Sequence, residues 1–473
     1  MKFILPKSNL VTSFDDISLY STLSNTQINI KKYFSNSSSQ YALNFLQDMW
    51  NGEKVNFTEK RPSLHFSSRF FENENFSNKF LKPSISKEIK YVLTLSEQIR
   101  NGKFGKISDI IHIGTGGSNL GPKLIYNAFQ DFKSGPNMHF ISNIDPYSLT
   151  YTVKNLNPKT TLIFVVSKSF NTLETLVNLK RVKVWLNSQL NTYNANSKIF
   201  AITSIYNNAI KNNILPSNII TFDKSIGGRF SIWSAANIST PVAFGKRFFL
   251  NFLKGGNKID LQIIKNRETS LSFHLAFRNE YTRNFKKQES HCIIPYSDRL
   301  KLLPSYLQQL IMESNGKTLN KDLVNINTPS SNIFGCVGTD AQHSFFQSLH
   351  QSNIKTSIDL ICFEEIYPKN YHLDEELDNQ AFDLLRYNAF SQFLAFKNGT
   401  SKNIKSNNHR FVKGDKSVNL LLFNKMNEEN LGKLICLYEY KTIIEASLSK
   451  INPFDQFGVE LGKNLLKKNN RAT

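Results

Sequence analysis

From residue 107 the chain alternates between short apolar runs and longer amphipathic stretches. Runs at 107–113, 138–142, 161–166 and 198–203 read as strands, and helical stretches separate them. That alternation predicts a parallel sheet covered on both faces. A second series follows a helical region at 257–288. It has strands at 291–295, 333–337 and 357–363, with helices between them and further helices at 374–396 and from 430 onward. Residues 1–70, with polar connections such as SNSSSQ, read as an N-terminal helical region, and 86–100 as a helix. The expected fold is α/β: two tandem α-β-α sandwich domains with parallel sheets, at 71–245 and 246–450. Helical segments at 1–70 and 451–473 flank them. The halves share no direct sequence repeat.

One helix, 303–317, carries the sharpest chemical signal. Leu303, Tyr306, Leu307, Leu310 and Ile311 fall on one face. Pro304 suits the first turn and Gly316 the C-terminal cap. Glu313 sits in the last turn, where a carboxylate meets the negative end of the helix dipole, a setting that suits a general base. Gln309 lies one turn earlier on the same face, placed to orient a ligand. The competing reading is a surface ion pair between Glu313 and Lys317.

Other candidates sit at the carboxyl ends of predicted strands. The glycines of Gly114-Thr115-Gly116-Gly117-Ser118 allow close backbone approach to a ligand. A dinucleotide fingerprint is the alternative. Asn119 stands at its third glycine position, and no acidic residue follows a second strand at the expected distance. Ser167-Lys168-Ser169-Phe170-Asn171-Thr172 ends an apolar strand and precedes a helix, the arrangement of an anion site. Ordinary turn and cap residues are the alternative there. Gly227 and Gly228 let Arg229 approach a ligand closely, against the reading of a structural ion pair. Thr339 and Gln342 fit a capping box that puts His343 in the first turn of a helix. His350 lies seven residues on, so no i, i+4 metal pair forms.

Charge and cysteines narrow the classes. The chain has 58 basic and 37 acidic residues among 473, a net charge of +21. The basic residues are scattered instead of forming one run, so drift toward lysine explains the balance better than a nucleic-acid partner. A positive field still favours encounter with an anionic substrate. Cys292, Cys336, Cys362 and Cys436 are widely spaced, with no CxxC, so neither zinc nor disulfides are expected. No apolar run is long enough to span a membrane, and the apolar start MKFILPKSNL is too short for a secretory signal. The expectation is a soluble cytoplasmic protein.

Several ordered segments resemble the phosphoglucose isomerase family. They are NFTEKRPSLH from Asn56, IGTGGSNLGP from Ile113, SKSFNTLET from Ser167 and GGRFSIWSA from Gly227. PSYLQQLIMESNGK from Pro304, GTDAQHSFFQSLHQ from Gly338 and INPFDQFGVELGK from Ile451 complete the set. The resemblance implies sugar-isomerase domains and reversible conversion of glucose 6-phosphate and fructose 6-phosphate through a cis-enediolate, without metal or other cofactor. By the same resemblance, Glu313 moves the C2 proton and Arg229 stabilises the intermediate, while His343 and Lys463 open the ring. Gly117, Ser118 and Gln309 contact the sugar. Ser167, Ser169 and Thr172, with Lys168 beside them, cradle the phosphate, and Glu174 orients His343. The family also implies a homodimer in which His343 is lent to the neighbour's site. Asn119, Asn171, Leu173 and Phe457 depart from the residues usual in the family. A related isomerase that also accepts mannose 6-phosphate is one alternative. A non-catalytic phosphosugar-binding regulator is another, disfavoured because Glu313 and Lys463 are both present.

Overall fold

The computed structural model describes residues 5–73, 75–267, 269–327, 329–367, 373–400, 404–462 and 465. The chain opens with an antiparallel hairpin, β1 (Leu10–Phe14) and β2 (Ile17–Ser21), where the sequence suggested helix. The hairpin follows from period-2 patterning: Ile17, Leu19 and Ser21 are buried while Ser18 and Tyr20 are half-exposed. Asp15 takes a left-handed conformation in the turn, φ 53°. Helices follow at Ser37–Asn51 and Pro83–Arg100.

The first sheet contains β3 (Asp109–Gly114), β4 (Asn137–Ile141), β5 (Thr161–Val166), β6 (Ile199–Thr203) and β7 (Ile219–Thr221). Its order is β4-β3-β5-β6-β7 and every pairing is parallel. β5 is buried at every position, as a strand covered on both faces must be. β7 is too short to stand out in the sequence.

The second sheet contains β8 (Ser290–Pro295), β9 (Asn332–Phe334), β10 (Thr356–Glu365) and β11 (Val418–Lys425). These four run parallel in the order β11-β10-β8-β9. The hairpin extends this sheet: β2 pairs antiparallel with β11, with Leu421 opposite Leu19. The second sheet is therefore mixed, not wholly parallel. β11, a run not assigned from sequence, connects the N-terminal strands to this half.

The helix Glu428–Leu448 is buried from Asn430 to Leu448, and packs along Lys246–Lys265 and Leu271–Phe285. An apolar helix this deep needs its polar groups paired. Glu439 on it accepts from Arg69 Nη1 at 2.8 Å and from Trp233 Nε1 at 2.8 Å. Arg69 also holds Asp260, at 2.8 and 2.6 Å. This buried cluster fixes the turn Gly228–Trp233, which carries Arg229.

Candidate active site

The predicted helix at 303–317 forms with its apolar face inward: Leu303, Tyr306, Leu307, Leu310 and Ile311 are all buried. It begins as α-helix, Leu303–Gln308, and widens into a π-turn at Gln309–Glu313. Such turns re-aim side chains and cluster at functional sites. Here the turn brings Gln309 Nε2 to 2.9 Å from Glu313 Oε2. Lys317 does not pair with Glu313. Its ammonium lies 2.8 Å from Asp455 Oδ1, so the surface-pair reading gives way.

Arg229 completes the surroundings of Glu313. It is buried, and its Nη1 lies 3.5 Å from Glu313 Oε2. The remaining N–H groups are committed. Nε donates to Ser314 Oγ at 2.6 Å, and Nη1 to Gln456 Oε1 at 2.9 Å. Nη2 donates to the Pro453 carbonyl and, at 3.0 Å, to the Asp455 carbonyl. A guanidinium has five N–H donors, so only the edge facing Glu313 is left for a ligand. Burial pulls Arg229 below its ordinary value, while Glu313 and Asp455 oppose that shift.

The glycine loop closes against these two elements. Gly116 has φ 54°, and a Cβ there would sit 2.8 Å from Gln309 Nε2. A Cβ on Gly117 would lie 2.0 Å from the Gly228 carbonyl oxygen, so only glycine permits this approach to the Arg229 turn. Gly117 and Ser118 open the helix Gly117–Ala128. Behind them, His112 Nε2 donates to the Ser118 carbonyl at 2.7 Å and Nδ1 accepts from Ser239 at 2.7 Å. Burial pushes His112 down to about 4, so the ring is neutral at pH 7 and can make both contacts.

The second loop lies at the end of β5. Ser167 Oγ accepts from the Phe170 N–H at 3.1 Å and lies 3.2 Å from Thr172 Oγ1. Phe170 is buried with φ 51°, turning the loop back over the sheet. Ser169 Oγ accepts from the Asn171 N–H at 3.3 Å. Thr172 precedes the helix Leu173–Asn187 and makes no side-chain cap. First-turn N–H groups have no intrahelical acceptor, and here no Thr172 side-chain cap takes them up, the condition for anion binding. Lys168 is pushed down to about 8 by burial and by the nearby Arg61 charge. Glu59 and Asp223 counter the shift, and Arg229 adds to it.

Not every candidate joins these groups. The capping box at Thr339 does not form: the helix Gly338–Gln342 starts two residues earlier than that box requires, with Val337 as its uncapped N-cap. Gln342 instead donates to Asn388 and Tyr296. His343 is consequently the residue after a five-residue helix, not one in its first turn, and is exposed on the chain. Glu174 lies half-buried in the first turn of Leu173–Asn187. Among the described residues no hydrogen bond or ion pair joins it to His343. Lys463 lies outside the described residues.

Sequence reasoning missed Gln456, Ser314 and His112. Ser314 and Gln456 stand inside quoted motifs without a role, and their partner, Arg229, is distant along the chain. His112 sits in an apolar run where only its contacts reveal it. Among the described residues, no group of three or more His, Cys, Asp or Glu side chains is arranged to hold a metal, and no helix is long and apolar enough to cross a membrane.

Comparison with known proteins agrees on one family. The profile of phosphoglucose isomerase matches residues 20–472. Glucose-6-phosphate isomerase of Christiangramia forsetii is 34% identical over 448 residues, covering 89% of this chain and 81% of the relative. That of Eremothecium gossypii is 34% identical over 439 residues, covering 89% of this chain and 78% of the relative. The crystal structure of a glucose-6-phosphate isomerase from Chlamydia trachomatis superposes with a TM-score of 0.84 at 27% identity, covering 97% of this chain and 89% of that one. The chain belongs to the phosphoglucose isomerase family.

Proposed function

We propose that the chain interconverts D-glucose 6-phosphate and D-fructose 6-phosphate, the aldose–ketose isomerisation of its family, in glycolysis and gluconeogenesis. The observation that carries this reading is the Glu313 carboxylate held between the Gln309 amide and the one open edge of Arg229. Moving a proton from C2 to C1 needs a base that returns what it takes, and Glu313 fills that role. Negative charge then develops on the enediolate oxygens. A buried guanidinium with its other donors occupied is preorganised to meet that charge. Ser167, Ser169 and Thr172, the first-turn N–H groups and Lys168 take the phosphate, while Gly117 and Ser118 contact the sugar. His343 and Lys463 open the ring, with Glu174 orienting His343. No metal or redox group is required for this route.

A coupled assay following fructose 6-phosphate to glucose 6-phosphate tests the activity. Steady turnover supports the reading, and none from folded protein refutes it.

The exposure of His343 on the single chain suits a homodimer in the cytoplasm in which each subunit lends His343 to its neighbour. Co-refolding Glu313→Gln with His343→Ala chains tests this. Random pairing restores roughly a quarter of wild-type activity if the site is shared. No recovery, with mixed dimers present, rejects sharing.

A further inference from the structure

Arg229 owes its direction to acceptors on the turn at 452–456, and that turn is itself held from outside. Lys317 spends its ammonium there: it donates to the Asn452 carbonyl, to the Asp455 carbonyl at 2.9 Å, and lies 2.8 Å from Asp455 Oδ1. An ammonium has three donors, so Lys317 is fully occupied by this one turn. Asp455 is buried, and its other oxygen, Oδ2, accepts from Thr58 Oγ1 at 2.6 Å. Asn452 Nδ2 donates to Asn56 Oδ1 at 2.8 Å and to Thr58 Oγ1 at 2.7 Å. Its own Oδ1 accepts from the Phe454 N–H at 3.0 Å. Segments from opposite ends of the chain thus meet beneath Arg229, tied to the end of the Glu313 helix through Lys317 and Ser314.

We propose that Asp455 is a positioning residue: clasped by Thr58 and Lys317, it fixes the carbonyls that aim the Arg229 guanidinium at Glu313 and at the enediolate. It touches no reacting atom. Its effect is on direction, because Arg229 Nη2 is bound to the carbonyls of Pro453 and Asp455. If that turn relaxes, the open edge of Nη1 swings off the position where charge develops. The argument rests on the role proposed for Arg229.

The test compares two ligands on the full-length protein. One is a five-carbon sugar-acid phosphate whose carboxylate lies where the enediolate oxygens form. The other is the matching sugar-alcohol phosphate, neutral at that end. Wild type should prefer the acid. Asp455→Ala should cut that preference about tenfold, as loss of an aligned charged hydrogen bond does, while the alcohol binds as before. kcat should fall with it and KM should stay. Asp455→Asn, which keeps the shape, should recover part of the preference. Thr58→Val, an isosteric change at an exposed position, should shift it in the same direction and carries the test if Asp455→Ala does not fold. Equal weakening of both ligands, or an unchanged preference, overturns the positioning role while leaving the isomerase reading intact. A wild type that does not prefer the acid overturns both.

Discussion

Replacing Arg229 with lysine separates charge from direction. The guanidinium reaches Ser314 Oγ, Gln456 Oε1 and the carbonyls of Pro453 and Asp455 from separate nitrogens, and faces Glu313 with what remains. A lysine keeps the positive charge but offers its donors from one point, so it cannot span these acceptors. The Asp455 carbonyl retains Lys317 as a partner. Pro453 O and Ser314 Oγ, both in buried residues, are left short of a donor. Each such group costs about 1–3 kcal/mol, so Arg229→Lys should destabilise the fold by roughly 2–6 kcal/mol. Removing an aligned donor to a developing oxyanion lowers turnover by about a hundredfold or more. Steady-state kinetics with fructose 6-phosphate should therefore show a collapse in kcat with a smaller change in KM, and denaturant unfolding should show the stability loss. A lysine variant with wild-type kcat and wild-type stability would refute the argument that the guanidinium's geometry matters.

Two further predictions concern pH. Lys168 titrates near 8 in the free protein, so kcat/KM should fall as pH rises through about 8 and the cation is lost; in Lys168→Arg, which stays charged, that alkaline limb should flatten. His112 is held down at about 4 against an ordinary 6.5, so the unfolded chain binds its proton more readily. Its contribution to stability is present above pH 6.5 and is lost as pH falls toward 4, roughly 3 kcal/mol in all. Denaturant unfolding of His112→Asn at neutral and acid pH should show a smaller acid loss than wild type; an equal loss counts against the assignment.

Periodic patterning made most of the fold legible. β5 stands out as an unbroken apolar run, and the Glu313 helix because Leu303, Tyr306, Leu307, Leu310 and Ile311 recur at helical spacing. The hairpin β1–β2 was easily missed because each strand has only five residues, and the pairing that joins β2 to the sheet, with β11, lies some four hundred residues along the chain. The surroundings of Glu313 were legible where the contact is local, as for Gln309 one turn away. They were not legible where contact is distant. Helical spacing allowed the competing reading of a Glu313–Lys317 pair, but the buried carboxylate of Asp455 offers Lys317 a drier partner. The π-turn also escaped notice, since it changes no residue type, only the hydrogen-bond spacing.

The central claim is that Glu313 is the base that moves the C2 proton. Glu313→Gln keeps the side chain's shape and its place beside Gln309 and Arg229 while removing the basic oxygen. The direct measurement is solvent-tritium exchange into C2 of bound sugar phosphate, with binding of a competitive sugar phosphate measured in parallel. Exchange should fall by about a hundredfold to ten-thousandfold, with binding nearly unchanged. Undiminished exchange in a variant that still binds sugar phosphate would contradict the assignment.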